Sequence, residues 1–99
     1  MYLYHLAYTI QTLQENPPQN ISQKIVCVRR DFHNKIVSIG GTKTVDTTFY
    51  IGNTSLIDDF VRIILRKFGD ALRENDASHV CEIKYDICQV TESNRRNNL

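Results

Sequence analysis

The stretch from Ser55 to Glu74, SLIDDFVRIILRKFGDALRE, constrains the fold more than any other part of the chain. At about 100° per residue, its apolar side chains gather on one side of a helix and its arginines on the other. Ser55 and Asp58 have the spacing of a capping box, and Asp58 and Asp59 suit the positive end of a helix dipole. The segment therefore predicts an amphipathic helix that must bury one side. Its apolar stripe holds Ile57, Val61, Ile64, Phe68 and Leu72, with Phe60, Leu65 and Ala71 beside it.

The segments before this helix predict strands. Residues 2–13 fit both a period-two strand and a helical pattern, and we favour the strand because Tyr, Thr and Ile prefer it and no cap precedes it. Residues 23–32 and 35–39 are rich in β-branched side chains, which predicts a hairpin around His33-Asn34. Gly40-Gly41 then predicts a second hairpin turn, of type I′.

Two further segments alternate with a period of two. Residues 44–51 place Val45, Phe49 and Ile51 on one face. Residues 79–90 are the most regular, with an apolar face opposite Glu82, Lys84 and Asp86. Each pattern predicts a strand with one buried face. The apolar face of the last strand holds Cys81, Ile83, Tyr85 and Ile87.

These elements predict an α+β domain spanning residues 1–91, in the order β-β-β-β-α-β. A mainly antiparallel sheet of four to five strands would pack on the one amphipathic helix. The 99 residues suffice to bury a core without metal or disulfide crosslinks. Residues 92–99 show no apolar periodicity and predict a disordered tail.

The composition does not favour any particular class of partner, and it predicts a cytoplasmic location. Twelve Lys and Arg against eleven Asp and Glu leave a net charge of +1, so no strong field attracts nucleic acid or an anionic membrane. No apolar run is long enough to span a bilayer, and we expect no membrane partner. Three cysteines, an odd number, match no disulfide framework and are typical of a reducing compartment.

No motif predicts catalysis, a cofactor or a metal site. His79 and Cys81 share a strand face, but two ligands do not make a structural zinc site, which normally has four. Cys88 would lie on the opposite face, so cysteines at the core or its rim are the better interpretation. Gly40-Gly41-Thr42-Lys43 lacks the spacing of a phosphate-binding loop. We therefore expect a protein that is not an enzyme.

Basic residues support a nucleic-acid hypothesis as one alternative. Lys35, Lys43 and the pairs Arg29-Arg30 and Arg95-Arg96 are the candidates, with tyrosines of the first strand to stack bases. Acidic residues are interspersed, and the aromatic signature of ribonucleoprotein domains is missing from the sequence. A solvated surface of mixed charge is the competing interpretation.

The predicted sheet has more apolar surface than one helix can cover. A helix is about 10 Å wide and strands lie about 4.8 Å apart, so one helix covers two or three strands. Either the sheet curls round the helix and buries the excess, or another protein covers it. The candidate partner-binding residues are Leu56, Ile63 and Lys67 on the helix flank, with Tyr2, Tyr4 and Tyr8 on the first strand.

The sequence thus favours a small protein-binding module. Compact α+β chains without a catalytic motif recur among toxin-neutralising immunity proteins and phage-encoded inhibitors of bacterial defence, which makes an inhibitor of another protein the favoured type. No residue pattern matches a particular family. The other alternative is a structural or regulatory homodimer, formed through an uncovered sheet or by pairing of edge strands.

Overall fold

A computed structural model describes residues 1–16, 19–45 and 47–90 of the chain. The predicted α+β domain with an antiparallel sheet is confirmed. The predicted order β-β-β-β-α-β with one helix is wrong, because the described residues form two helices in the order β-α-β-β-α-β. The predicted tail, residues 92–99, lies outside the described residues. The elements are β1 Tyr2–Thr12, α1 Ile21–Ser38, β2 Gly41–Val45, β3 Thr48–Asn53, α2 Ile57–Glu74 and β4 Cys81–Val90.

The strands form one sheet in the order β2-β3-β1-β4, and each neighbouring pair is antiparallel. Strands joined through a helix therefore run parallel, with one strand between them: β1 with β2, and β3 with β4. This connectivity is the split βαβ arrangement of ferredoxin-like folds. Such an arrangement assigns no activity by itself.

The central strand β1 follows the predicted period of two. Tyr4 and Tyr8 are buried on one face, whereas His5 on the other face is only half-buried. Phe60 of α2 stacks on Tyr4 with ring centroids 4.1 Å apart. Phe32 of α1 meets the ring of Tyr8 edge-on at 4.9 Å. Both helices therefore cover the same face of the sheet.

Helix α1 replaces the predicted hairpin of residues 23–39. Its β-branched side chains reduce helix propensity only slightly, by less than about 1 kcal/mol per residue. Burying an apolar side chain contributes about 1.5–3 kcal/mol, so packing on the sheet outweighs the local preference. The hairpin prediction was wrong because it ranked local propensity above the helical spacing. The buried residues at that spacing are Ile21, Val28, Phe32 and Ile36.

The two glycines after α1 end the helix and do not connect two strands. Gly40 has a φ of +92°, a conformation that favours glycine, and its N–H donates to the carbonyl oxygen of Val37 at 3.0 Å. The predicted type I′ turn is therefore wrong at this position. The hairpin joins β2 to β3, where the register shifts between Lys43 and Val45. The single strand predicted over residues 44–51 is divided at Thr47.

Helix α2 matches the predicted amphipathic segment but starts differently. Its N-cap is Leu56, without a side-chain cap, so the capping box at Ser55 is wrong. The Ser55 N–H donates instead to Oδ1 of Asn53 at 2.8 Å. Asp58 and Asp59 occupy the first turn as predicted. Of the predicted stripe only Ile64 and Phe68 are buried, and Phe60 and Ala71 beside it are buried with them.

Candidate functional site

One side of α2 is closed by α1. Ile63, Lys67 and Glu74 lie on one helical stripe, which we call the inner flank. The carboxylate of Glu74 pairs with Nζ of Lys35 on α1 at 3.1 Å. Ile63 and Lys67 are half-buried. These two predicted contact residues thus lie on the side of α2 that faces α1, and each keeps part of its surface exposed.

The junction of the two helices also holds a carboxylate in place. Asp31 of α1 accepts hydrogen bonds from Nδ2 of Asn75 at 2.8 Å and from Nε of Arg30 at 3.3 Å. The bond from Asn75 lowers the pKa of Asp31 most, with smaller contributions from Arg30 and Lys35, while partial burial acts in the opposite direction. The Asn75 amide also donates to the carbonyl oxygen of Ala71 at 2.8 Å. The inner side of α2 is therefore tied to α1 by polar contacts.

The opposite side of α2 faces away from α1 and carries exposed apolar side chains. Ile57, Val61 and Leu65 follow one another at intervals of four residues, and we call them the outer flank. Ile57 is 36% and Leu65 43% exposed, and Val61 is half-buried. Gly69 continues the stripe, and a Cβ added there would meet no atom within 4 Å. This side of α2 has no cover within the described residues.

Strand β4 lies beside the outer flank at the margin of the sheet. It is 10 residues long and pairs only with β1 among the described strands, so its second edge is open. Tyr85 is 41% exposed, with its ring 5.8 Å from that of Phe68 on α2. Ile83 and Ile87 are partly buried against the core. The β4 edge and the outer flank therefore form one continuous apolar surface with unpaired backbone groups.

Two of the predicted contact residues lie close together at the start of α2. Leu56 is 62% exposed and Tyr2 37% exposed. The ring of Tyr2 lies 6.4 Å from that of Tyr4, whose hydroxyl donates to the carbonyl oxygen of Ser55 at 2.6 Å. Tyr2 and Leu56 are thus both exposed at the end of the domain where the outer flank begins.

Tyr4 and Tyr8, also predicted to contact a partner, belong to the core. They are 0% and 4% exposed, because the two helices cover the face of β1 on which they lie. Burial raises the pKa of both hydroxyls; the charge of Tyr2 adds to the effect at Tyr4, and Arg29 opposes it at Tyr8. The Tyr8 hydroxyl has no hydrogen-bond partner among the described residues. Their assignment as contact residues is corrected.

The predicted basic residues separate into two groups. Arg29 and Arg30 of α1 and Lys43 of β2 line a groove of about 410 Å³ together with His33. Lys35 points elsewhere and pairs with Glu74. The sequence predicted hairpins for Arg29, Arg30 and Lys35, but all three lie on helix α1. The pair Arg95-Arg96 lies outside the described residues.

The cysteines and histidines form no metal-binding cluster in the part of the chain that the structure describes. Cys81 is buried, and burial raises the pKa of its thiol while Lys24 opposes this. As predicted, Cys88 lies on the face of β4 opposite to that of Cys81. It is exposed and pairs with His5 of β1. None of the described helices has both the length and the apolar character needed to cross a membrane.

Comparison with protein-family models, with curated proteins and with solved structures finds no match for the chain. The candidate surface is therefore interpreted from its own geometry. Ile57, Leu65 and Tyr85, which the sequence pattern assigned to the core, lie at the surface. The width of the apolar arc on α2 is the signal that points to them, since it exceeds the face that one layer of sheet can bury.

Proposed function

We propose that this protein is a non-enzymatic protein-binding module that contacts its partner through the outer flank, the β4 edge and Leu56. The observation that carries the proposal is the open edge of a 10-residue strand beside exposed apolar side chains. Clustered apolar groups on a surface mark interaction sites more often than scattered ones do. The module retains Leu56 and Tyr2 from the sequence-based prediction.

The two parts of this surface supply different kinds of interaction. The β4 edge offers backbone N–H and C=O groups that an added strand satisfies, which gives affinity with little dependence on side chains. The outer flank offers apolar area worth about 25 cal/mol per Å² removed from water. A partner that presents a strand next to an apolar helix or loop fits both. Within this function we propose an inhibitor of another protein, of the toxin-immunity or phage anti-defence type, by analogy with other compact α+β chains.

Site-specific photo-crosslinking in cells of the source organism tests the surface. A crosslinking amino acid at Leu65 should give a discrete heavier product, whereas the same group at Val37 should give none. Val37 is a matched control because it is 48% exposed on the other helix. In the same cells, Leu65→Glu should abolish co-purification of the crosslinked protein and Val37→Glu should not. Equal products from both positions, or none from Leu65, would remove the proposal.

A nucleic-acid function is the second candidate, and the basic groove favours it. The fold brings the adjacent residues Arg29 and Arg30 of α1 and the separate Lys43 of β2 to one groove. Binding there should weaken steeply with salt, with a log–log slope of about −2 to −3 for three phosphate contacts. Arg30 also pairs with Asp31 at 3.3 Å, which limits its contribution.

Oligonucleotide titration at several salt concentrations tests this candidate. Arg29→Ala should weaken binding and reduce the salt slope by about one unit. Arg66→Ala is the control, because Arg66 is exposed on α2 and does not line the groove. Equal loss in the two variants, or no measurable binding at low salt, would exclude the groove as a nucleic-acid site.

A further inference from the structure

We infer that the occupant of the outer flank and the β4 edge is a second copy of this chain, with β4 paired antiparallel to β4 and Tyr85 at the twofold axis. This inference rests on the proposed protein-binding function and places a second copy, in place of an inhibited protein, on this surface. Three features of the surface carry it: the charge pattern of β4, the position of α2 over the sheet, and Gly69.

The side chains of β4 are self-complementary in this register. With Tyr85 opposite Tyr85 of the second copy, Lys84 lies opposite Asp86 and Asp86 opposite Lys84. Ile83 likewise lies opposite Ile87, on the face that carries the helices. Directly opposed side chains lie about 4.5–5.5 Å apart, close enough for two ion pairs and two apolar pairs. A register centred on Lys84 instead sets Glu82 against Asp86, so the charges favour Tyr85 as the centre.

The same pairing brings the two α2 helices to packing distance. Four strands about 4.8 Å apart span about 14 Å, so two helices packed about 10 Å apart over the centre of the sheet place α2 about 2 Å inside β4. The symmetry axis lies half a strand spacing outside β4, about 2.4 Å away, so α2 is about 5 Å from the axis. The two copies of α2 then lie about 9 Å apart, within the usual range of 8–10 Å for packed helices. One partner thereby covers the strand edge and the outer flank together.

Gly69 supplies a feature that the single chain does not use. A glycine inside a helix costs about 1 kcal/mol relative to alanine, and no atom of the described residues lies where its Cβ would be. The ring of Phe68 lies 5.8 Å from that of Tyr85, and Leu65 is the exposed outer-flank residue one turn before it, so we place the helix crossing at Leu65. In an antiparallel helix pair centred on Leu65, Val61 of one copy faces Gly69 of the other. The missing Cβ then makes room for the valine.

Sedimentation velocity of the purified chain, from about 1 to 200 μM, tests the pairing by charge reversal. The wild type should shift from monomer to dimer across this range. Lys84→Asp and Asp86→Lys should each raise the dissociation constant about tenfold, because each sets like charges opposite one another twice per dimer. The double variant should regain the wild-type constant. A monomeric wild type, or a double variant as weak as the single ones, overturns the inference.

A cysteine crosslink tests the register independently. Glu82 lies opposite Cys88 of the second copy, so Glu82→Cys should form a disulfide-linked dimer on mild oxidation. Positions 82 and 88 of one chain are about 20 Å apart along the strand and cannot join to each other. Adding Cys88→Ser should abolish the product. A linked dimer that persists in the double variant, or no linked dimer from Glu82→Cys, contradicts the register.

These results separate the inference from the function on which it rests. If the purified chain stays monomeric while a crosslinker at Leu65 captures a different protein in cells, the second copy is wrong and the protein-binding function stands. If neither a dimer nor a crosslinked product forms, both are wrong.

Discussion

The two flanks of α2 both carry apolar side chains, yet another helix packs beside only one of them. On the inner flank, α1 packs alongside, and Lys35 pairs with Glu74 at 3.1 Å. On the outer flank, Leu65 stays 43% exposed above the open edge of β4. The comparison teaches that apolar content alone does not tell core from interface on a helix. Whether another element of the chain packs against a flank decides whether that flank belongs to the core.

The polar groups of the two sides differ in the same way. The inner side ends in the hydrogen bond from Asn75 to Asp31, which joins α2 to α1. On β4, the strand beside the outer side, Lys84 and Asp86 are exposed on the face of the sheet that is turned away from α2. Substitutions on the inner side should therefore change the stability of the single chain. Those on the outer side should change association.

The largest effect is expected from Phe68→Ala, because this ring joins both sides. It stacks on Phe32 of α1 at 4.0 Å and approaches Tyr85 of β4 at 5.8 Å. We expect a loss of about 3–5 kcal/mol in the free energy of unfolding, measured by urea denaturation with circular dichroism. Leu65→Ala, one turn away, should lose less than about 1 kcal/mol. Similar losses in the two variants would contradict the division into core and flank.

A charge placed on each flank measures their difference directly. Ile63→Asp puts a carboxylate in the half-buried inner flank, and we expect a loss of about 1–3 kcal/mol in the free energy of unfolding. Leu65→Asp on the outer flank should change it by no more than about 0.5 kcal/mol when measured at a concentration where the chain is monomeric. Urea unfolding of both variants gives the values. If Leu65→Asp costs as much as Ile63→Asp, the outer flank belongs to the core.

Gly69→Ala should change stability and association in opposite directions. The added methyl group meets no atom of the described residues within 4 Å and removes a glycine from a helix interior, so the free energy of unfolding should rise by about 0.5–1 kcal/mol. The same methyl group should weaken the dimer if Val61 of a second copy packs there. Thermal denaturation at low concentration and sedimentation at high concentration measure the two effects. A loss of stability in the monomer would show that the chain itself needs the glycine.

The parts of the fold that sequence predicts well are those with an undisturbed period. Strand β4 alternates with a period of two, with charges on the face opposite its apolar one. Helix α2 carries arginines opposite a continuous apolar arc. In these segments local propensity and the burial pattern agree, so one interpretation is favoured. Residues 21–38 combine β-branched side chains with a helical spacing, and only packing on the sheet decides between the two.

The error at α1 carried over to the candidate site. Without that helix, Ile63 and Lys67 counted as free surface, and the buried faces of Tyr4 and Tyr8 counted as uncovered sheet. With α1 in place Tyr4 and Tyr8 are buried, and Ile63 and Lys67 are half-buried. Leu65, whose exposure depends on the same placement of helices, was assigned to the core. Of the six predicted contact residues, Leu56 and Tyr2 are the two that stay exposed with α1 in place.

The smallest effect is expected from the polar contact that joins the inner side to α1. The Asn75 amide lowers the pKa of Asp31 in the folded chain. A carboxylate with a lowered folded pKa stabilises the protein above its unfolded pKa of about 3.9, and this contribution is lost as the pH falls through the folded value. Asp31→Asn should therefore lower the free energy of unfolding by less than about 1 kcal/mol near neutral pH, since the side chain is partly exposed.

Urea unfolding between about pH 7 and pH 2 tests the sign of this effect. The difference between the wild type and Asp31→Asn should shrink as the pH falls below about 4, because the wild-type carboxyl is then protonated and resembles the amide in charge. In the Asn75→Ala background the same substitution should have a smaller effect at every pH, since the main cause of the lowered pKa is gone. A difference that grows on acidification would mean that burial, and not the Asn75 amide, dominates at Asp31. The inner side of α2 would then lack the polar tie that distinguishes it from the outer flank.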